Sequence, residues 1–490
     1  MENPGNVAEI SPIAPFWSGT VGLIIQPHLA DHHLQGRPVL PAVESLRLLA
    51  RAVEQNGFAN LTGHCGQADF LRFIPTPPTG SSLELLVELT GEKNGDIRAD
   101  LSTSTSSRNG KITRIKKHVS AVFRPFEKPP APPLDVLSVP DGPGLTVPAS
   151  TIYENLVPFG PSFQNIVGSA YLGRGGASAV VQAPAGLEGS GPLGSPFALD
   201  AAFHLASTWG QRRFGLTGFP VGFDRRIVFD PTRPGEFFFA LVFPRPSTPD
   251  QMEFDIWLLD LTGRPREAVH GLKMRDVTGG RALAPEWLRE KANPELDALR
   301  SHCRKMVILE LPAMAPFALD ALCPRELERA ATFGEKRKKS FIASRLALKR
   351  LSRVLGGREP DAPASDLDVL APDGIRPRLA GLDLACSAAH DDRFVAAVAD
   401  RRPVGVDVET DREAAVKGLR IYASPDEIKL TENSNLDIQA AATRLWTIKE
   451  AASKALGLEL PTTWGLAGVR SIGRTESIVR LEGKNIPVWH

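Results

Sequence analysis

The chain has 490 residues, of which 42% are hydrophobic and 23% charged. This is the make-up of an ordinary folded protein of about three domains and excludes a largely disordered chain. Its 57 Lys and Arg against 56 Asp and Glu leave a net charge of +1, so nucleic-acid binding over the whole surface is excluded and any anion site must be a local patch. Cys65, Cys303, Cys323 and Cys386 form no CxxC pair, which argues against a disulfide framework or a structural zinc site and fits a reducing compartment. No basic-then-apolar leader opens the chain, and no run approaches the roughly 18 apolar residues of a membrane span, so a cytoplasmic protein is expected.

The first block, 1–128, opens on the short run DHHLQGRPVLP at 31–41. Pro41 suits the first turn of a helix, and Val43, Leu46, Ala50 and Val53 recur at helical spacing behind it. Strand-like runs follow at Leu83–Leu89 and Ile115–Phe123. Residues 129–145 lie in the Pro-rich stretch KPPAPPLDVLSVPDGPGLTVP, expected to be an extended linker rather than a helix. The second block, 146–279, repeats the pattern, with a helix near Phe197–Trp209 and strands at Ala177–Gln182, Glu236–Phe243 and Glu253–Leu261. One helix and a many-stranded sheet, twice over, predict an α+β fold with an internal duplication. A second break at 280–305 leads to the third block, 306–490. There a charged helical region at Arg325–Leu355 precedes strands at Phe394–Ala399 and Val404–Val408 and a long helix near Asp437–Leu456.

Two groups of residues carry chemistry. His32 is followed by Gly36 and Pro41. The imidazole is a candidate base near neutral pH, the glycine lets backbone approach a ligand, and the helix after Pro41 points its positive end at the site. In LDAAFH, Asp200 and His204 lie four apart on one helix face. An acid in an apolar helix is expected to have a raised pKa suited to donating a proton. A structural histidine and a surface Asp with an ordinary i,i+4 contact fit the same spacings. In the third block, PVGVDVET places Asp407 and Glu409 two apart on the predicted strand, both facing one side, as hard oxygen ligands for Mg²⁺ would. In WTIKEAASKALG, Glu450 and Lys454 share another helix face. Arg325, Arg329, the run Lys336–Lys339, Arg345 and Arg376 supply cations for a polyphosphate, and no P-loop or GxGxxG motif is present. Solvated acids and a surface ion pair are the plainer reading of each piece.

HHLQGRPVLP, FGPSFQ at 159–164 and LDAAFH resemble, in order, the HxxxGxxxxP, YGPxFQ and DxxxQ/H motifs of polyketide synthase dehydratase domains. The resemblance implies a double hotdog over about 1–278. His32 would remove the α-proton of a β-hydroxyacyl thioester, and Asp200, oriented by His204, would protonate the departing hydroxyl. Phe159 stands where the family has Tyr, and Ala42 where Gly is common. A non-catalytic acyl-binding module and a product-template cyclase remain alternatives for this half.

GVDVE, WTIKEAASKALG, DGIRP and SAAHDD resemble motifs of surfactin-type 4'-phosphopantetheinyl transferases over 306–490. That resemblance implies a pseudo-twofold α+β domain that moves phosphopantetheine from coenzyme A to a serine of an acyl carrier protein. Asp407, Glu409 and Glu450 would hold Mg²⁺, Glu450 would serve the incoming serine as base, and Lys454 would stabilise phosphate charge. Arg325, Arg329, Arg376 and His390 would grip coenzyme A. Ala389 replaces the family's serine, removing a hydrogen bond typically worth about 1.5–3 kcal/mol. The combined expectation is a bifunctional enzyme whose partner is the acyl carrier protein. Oligomeric state stays open, a homodimer being what such dehydratase domains often form.

Overall fold

The computed structural model describes residues 15–92, 94–106, 113–126, 133–187, 191–356, 362–374, 376–410 and 413–490. Twelve strands form one antiparallel sheet. They are β1 (Trp17–Ile24), β2 (His64–Phe70), β3 (Ser82–Gly91), β4 (Ile97–Ser106), β5 (Thr113–Phe123), β6 (Gly144–Pro148), β7 (Ile166–Gly173), β8 (Gly176–Gln182), β9 (Phe219–Val228), β10 (Phe237–Pro244), β11 (Met252–Asp260) and β12 (Pro265–Arg275). The order is β1-β3-β4-β5-β2-β9-β12-β11-β10-β8-β7-β6. β2 pairs with β9, so two half-sheets join edge to edge.

Each half-sheet wraps one helix, which is the double hotdog expected. In α1 (Ala42–Gln55) the stripe Val43, Leu46, Leu49, Ala50 and Val53 is fully buried, and burying each large side chain contributes roughly 1.5–3 kcal/mol. α2 (Phe197–Phe214) is buried from Phe197 to Gln211 and ends on left-handed Gly215, φ 76°, where only glycine avoids a Cβ clash. Buried on every face, α2 is the central helix of its half, so its Asp200 has to find a partner inside the protein.

The third block is two similar halves. In the first, α3 (Pro324–Ala331) and α4 (Glu335–Gly356) pack on β13 (Met306–Glu310), β14 (Ala385–His390) and β15 (Phe394–Asp400), ordered β13-β15-β14. In the second, α5 (Pro425–Glu432) and α6 (Ile438–Leu456) pack on β16 (Gly468–Ser471), β17 (Glu476–Leu481) and β18 (Lys484–Trp489). A shared device holds both. Glu326 closes the capping box of α3, pairs with the fully buried Lys349 at 2.8 Å and accepts the Val369 N–H. About a hundred residues later, Glu427 caps α5, pairs with the fully buried Lys449 at 3.0 Å and accepts the Val469 N–H. The pseudo-twofold expectation thus has a concrete residue signature.

Two expectations are corrected. Residues 403–410 form no strand. The chain there runs against α6, where a Cβ on Gly405 would fall on the Ala451 carbonyl, and the Val406 N–H donates to Ser387 Oγ (3.2 Å) instead of to a ladder. The Pro-rich linker is not simply extended either. Of the described part, Leu134–Leu137 is a helical turn and Gly144–Pro148 is β6. That turn docks on α4. Asp135, fully buried, accepts two hydrogen bonds from Arg353 Nε and Nη2 at 2.7 Å, and Arg350 donates to the carbonyls of Asp135, Val136 and Val139. Nearby, Glu310 accepts from the Tyr171 hydroxyl (2.7 Å) and the Gly144 N–H (3.0 Å). Leu137, Leu241 and Leu259 share a small core with Ala315 and Phe317.

Removing one partner of a buried ion pair strands the other charge, which costs roughly 3–5 kcal/mol. Asp135→Ala is therefore expected to lower unfolding stability by about that amount, read from chemical denaturation. A loss below about 1 kcal/mol would show that Arg353 is rescued by its other partners, the Ala362 carbonyl among them.

Candidate active sites

A cavity of about 870 Å³ lies between the two hotdogs, lined by His32, Asp200 and His204. His32 follows the 3-10 turn Pro27–Asp31. Its Nδ1 lies 3.0 Å from the Val39 carbonyl, so the proton sits on Nδ1 and Nε2 carries the free lone pair. The ring packs against Phe159 (centroids 4.4 Å) and Phe163 (5.1 Å). Burial pushes the imidazole below its ordinary pKa, with the attraction of Asp200 opposing. His32 is thus held neutral, as a base must be.

Gly36 has φ 74° and turns the small hairpin of His33–Leu34 with Arg37–Pro38. The turn, with nothing near its missing Cβ, accounts for the glycine. α1 begins at Ala42, whose first turn lines the cavity through Ala42 and Ser45. FGPSFQ is stitched to the histidine loop. The Gly160 N–H donates to the Asp31 carbonyl (2.8 Å) and the Ser162 N–H to Asp31 Oδ2 (2.9 Å), and any Cβ on Gly160 would strike the Asp31 side chain. This sets Phe159 between His32 and His204, 4.9 Å from the latter.

Asp200 Oδ2 faces His204 Nε2 at 2.9 Å, both side chains 6% exposed, yet neither atom has an aligned hydrogen bond. Burial works to raise the Asp200 carboxyl, but the His204 and His32 imidazoles outweigh it and hold the group below the usual carboxylate range. The expectation of a raised pKa is corrected here, because it considered burial and left out the two imidazoles. Tyr153, which no motif marked, approaches His204 Nδ1 at 3.5 Å and accepts the Ile166 N–H at 2.9 Å. No local pattern around it, in ASTIYEN, could have flagged it.

The second site lies where 403–410 meets α6. Lys454 Nζ is 2.6 Å from Asp407 Oδ1 and 3.4 Å from Glu450 Oε2. Burial, then the charge of Asp407, raises the Glu450 carboxyl above its ordinary value. Asp407 Oδ2 is buried without a hydrogen-bond partner. Two carboxylates pressed together with one oxygen unsatisfied is an arrangement that a divalent cation relieves, so these residues fit Mg²⁺.

Glu409 lines a neighbouring cavity of about 380 Å³ with Tyr422, Trp446 and Trp464. Among the described residues, Asp407, Glu409 and Glu450 do not offer ligand atoms mutually within 4.8 Å. The period-two argument fails with the strand it assumed. His390 is lowered from its ordinary pKa by partial burial, then by Lys454, and it also feels Asp407 and Arg337; it therefore belongs to this site. Arg337 is exposed, as expected of the run Lys336–Lys339, and lies over the Phe333 ring at 4.4 Å. The other predicted cations are engaged locally. Arg325 pairs with Asp368 at 2.6 Å, Arg376 with Asp373 at 2.6 Å, and Arg329 lies over the Phe333 ring at 5.2 Å.

The comparisons with known proteins match two separate segments of the chain. Residues 134–284 match the family model "Polyketide synthase dehydratase N-terminal domain" and residues 403–489 the model "4'-phosphopantetheinyl transferase superfamily". Polyketide synthase PksN of Bacillus subtilis (strain 168) is 24% identical over 266 residues, 51% of this chain. The chain spans only 5% of that relative's length. Among solved structures, a trans-AT PKS dehydratase domain from Brevibacillus brevis is 20% identical with a TM-score of 0.44, covering 53% of this chain and 93% of that one. The dehydratase domain of the polyketide PpsC from Mycobacterium tuberculosis is also 20% identical, with a TM-score of 0.42 and 52% and 92% covered. Among the described residues no helix is long and apolar enough to cross a membrane. The motif residues are gathered at two separate sites: residues 134–284, which carry Asp200 and His204, are similar to the polyketide synthase dehydratase N-terminal domain, and residues 403–489, which carry Asp407, Glu409, Glu450 and Lys454, are similar to the 4'-phosphopantetheinyl transferase superfamily, while His32 lies ahead of the first match.

Proposed function

We propose that the chain is a bifunctional enzyme that dehydrates β-hydroxyacyl thioesters carried by an acyl carrier protein and loads such a carrier with phosphopantetheine from coenzyme A. The observation that carries the first half is the confrontation, across one cavity, of a neutral imidazole from one hotdog and an acid–imidazole pair from the other.

His32 Nε2 takes the α-proton, and the electron pair of that C–H bond becomes the new C=C bond as the β-C–O bond breaks. The leaving hydroxyl takes a proton from the Asp200–His204 pair and departs as water. Phe159 and Phe163 keep water from His32. The departures from the family pattern leave this pair intact.

In the transferase half, Asp407 and Glu450 would hold Mg²⁺, which when bound neutralises the pyrophosphate of coenzyme A, while Glu409 stands apart at the neighbouring cavity. Lys454 meets phosphate charge beside them. Glu450, whose carboxyl burial and Asp407 raise above its ordinary value, takes the proton of the carrier serine. His390 would grip coenzyme A, with Arg325, Arg329 and Arg376 as further contacts. Mass spectrometry of an apo carrier protein incubated with coenzyme A and Mg²⁺ tests this half. No mass gain of one phosphopantetheine would refute it.

A further inference from the structure

His204 is held by two aromatic residues from one stretch of chain. Phe159, from FGPSFQ, faces the imidazole with ring centroids 4.9 Å apart. Tyr153, from the short helix Ala149–Asn155 just before it, stands edge-on to the same ring at 5.9 Å and 84°. Between them the imidazole turns Nε2 to Asp200 Oδ2 (2.9 Å) and Nδ1 to the Tyr153 hydroxyl (3.5 Å). Contacts among catalytic groups are often long before substrate binds and tighten with it. Tyr153 is 5% exposed and does not line the cavity, so it can reach the reaction only through His204.

The direction of that contact follows from what else the phenol touches. Its oxygen accepts the Ile166 N–H at 2.9 Å, and the Asn165 N–H also turns toward it. With backbone donors on its acceptor side, the hydroxyl proton is what remains to give. Burial raises the phenol above its ordinary pKa, so that proton is present at neutral pH. The acceptor within reach is His204 Nδ1. A neutral imidazole has one N–H and one lone pair; with Nδ1 accepting, the N–H lies on Nε2 and points at the Asp200 carboxylate. Among the described residues no other hydroxyl bonds a ring nitrogen of His204, and Phe159, its other aromatic neighbour, has none to offer.

We propose that Tyr153 is a positioning residue for the acid pair: its hydroxyl fixes His204 in the tautomer protonated on Nε2, so that Asp200 Oδ2 meets a donor and Oδ1 is left for the departing hydroxyl of the substrate. The inference deepens the dehydratase reading above and rests on it. In the other tautomer a lone pair would confront the carboxylate. A wrong histidine tautomer in an otherwise intact site costs up to about 10⁴-fold in kcat.

The first measurement needs no variant. In the full chain carrying ¹⁵N-labelled histidine, His204, assigned by its missing signals in His204→Gln, is expected to be protonated on Nε2 with Nδ1 bare and hydrogen-bonded at neutral pH. A proton on Nδ1 overturns the proposal. Tyr153→Phe is expected to shift the Nδ1 signal away from that of a hydrogen-bonded acceptor. It is also expected to lower kcat for a β-hydroxyacyl pantetheine thioester at least about tenfold, with KM changed less than about twofold. Glutamine keeps donor and acceptor on different atoms and has no tautomer to lose. In the His204→Gln background Tyr153→Phe is therefore expected to cost less than about threefold. Equal costs in the two backgrounds, or a KM that rises as kcat falls, would reduce Tyr153 to packing and overturn the proposal. If the parent dehydrates no thioester while the His204 signals respond to Tyr153→Phe as expected, the positioning contact stands and the dehydratase reading falls.

Discussion

Asp407→Asn and Glu450→Gln are each expected to lower phosphopantetheine transfer by on the order of 10²–10³-fold, the scale seen when one preorganised charge-stabilising group is lost. The two carboxylates are in contact, one oxygen of Asp407 is unsatisfied, and Lys454 bridges them. Losing either removes a ligand and leaves Lys454 half-paired. Glu409→Gln is expected to cost less, because Glu409 lines the neighbouring aromatic cavity. The measurement is the rate of apo-to-holo conversion at saturating Mg²⁺, followed by mass spectrometry. Equal losses for all three variants would mean that the carboxylates act as one cluster, against the separation seen here. Full activity of Glu450→Gln would remove the base from the scheme.

His32→Ala should reduce dehydration by about 10²–10⁴-fold, the usual contribution of a positioned general base. Asp200→Asn should do the same, and the double variant should be little worse than either, since base and acid serve one step. The pH profile has a definite sign. Burial lowers the His32 pKa, so its basic, neutral form persists below the ordinary imidazole value of about 6.5. kcat/KM should stay level as pH falls through that value and decline only on the more acidic side. A limb centred well above it would mean that His32 is not the titrating base. An unchanged rate in His32→Ala would leave the first half as an acyl-binding module.

Much of this was legible because local rules and the fold agree. Pro41 with Val43, Leu46, Ala50 and Val53 marked α1, and the strands named from the sequence formed with the exception of Val404–Val408, because alternation and helical spacing were strong there. Failures came where one backbone segment was decided by another. The valines of PVGVDVET look like a strand, but Gly405 brings them against α6, and the ladder is replaced by helix contact. The prolines of 129–145 look like a spacer, but Asp135 finds Arg353 more than two hundred residues away, which no local pattern can show. Asp200 was misjudged for the same reason, its burial being readable from an apolar helix and its two imidazole neighbours not. Tyr153 entered its site through three-dimensional packing without a motif of its own.

The turn at Leu134–Leu137 bears on how the protein can be taken apart. A segment that sits between the hotdogs in sequence is wedged into the first half of the transferase in space, and the chain then returns to give β6 to the long sheet. A recombinant piece starting near residue 306 would keep every motif of the carboxy-terminal enzyme and still lack the plug that Arg350 and Arg353 grip. Excision there would open a charged wound in α4, so the natural unit of dissection is the whole chain.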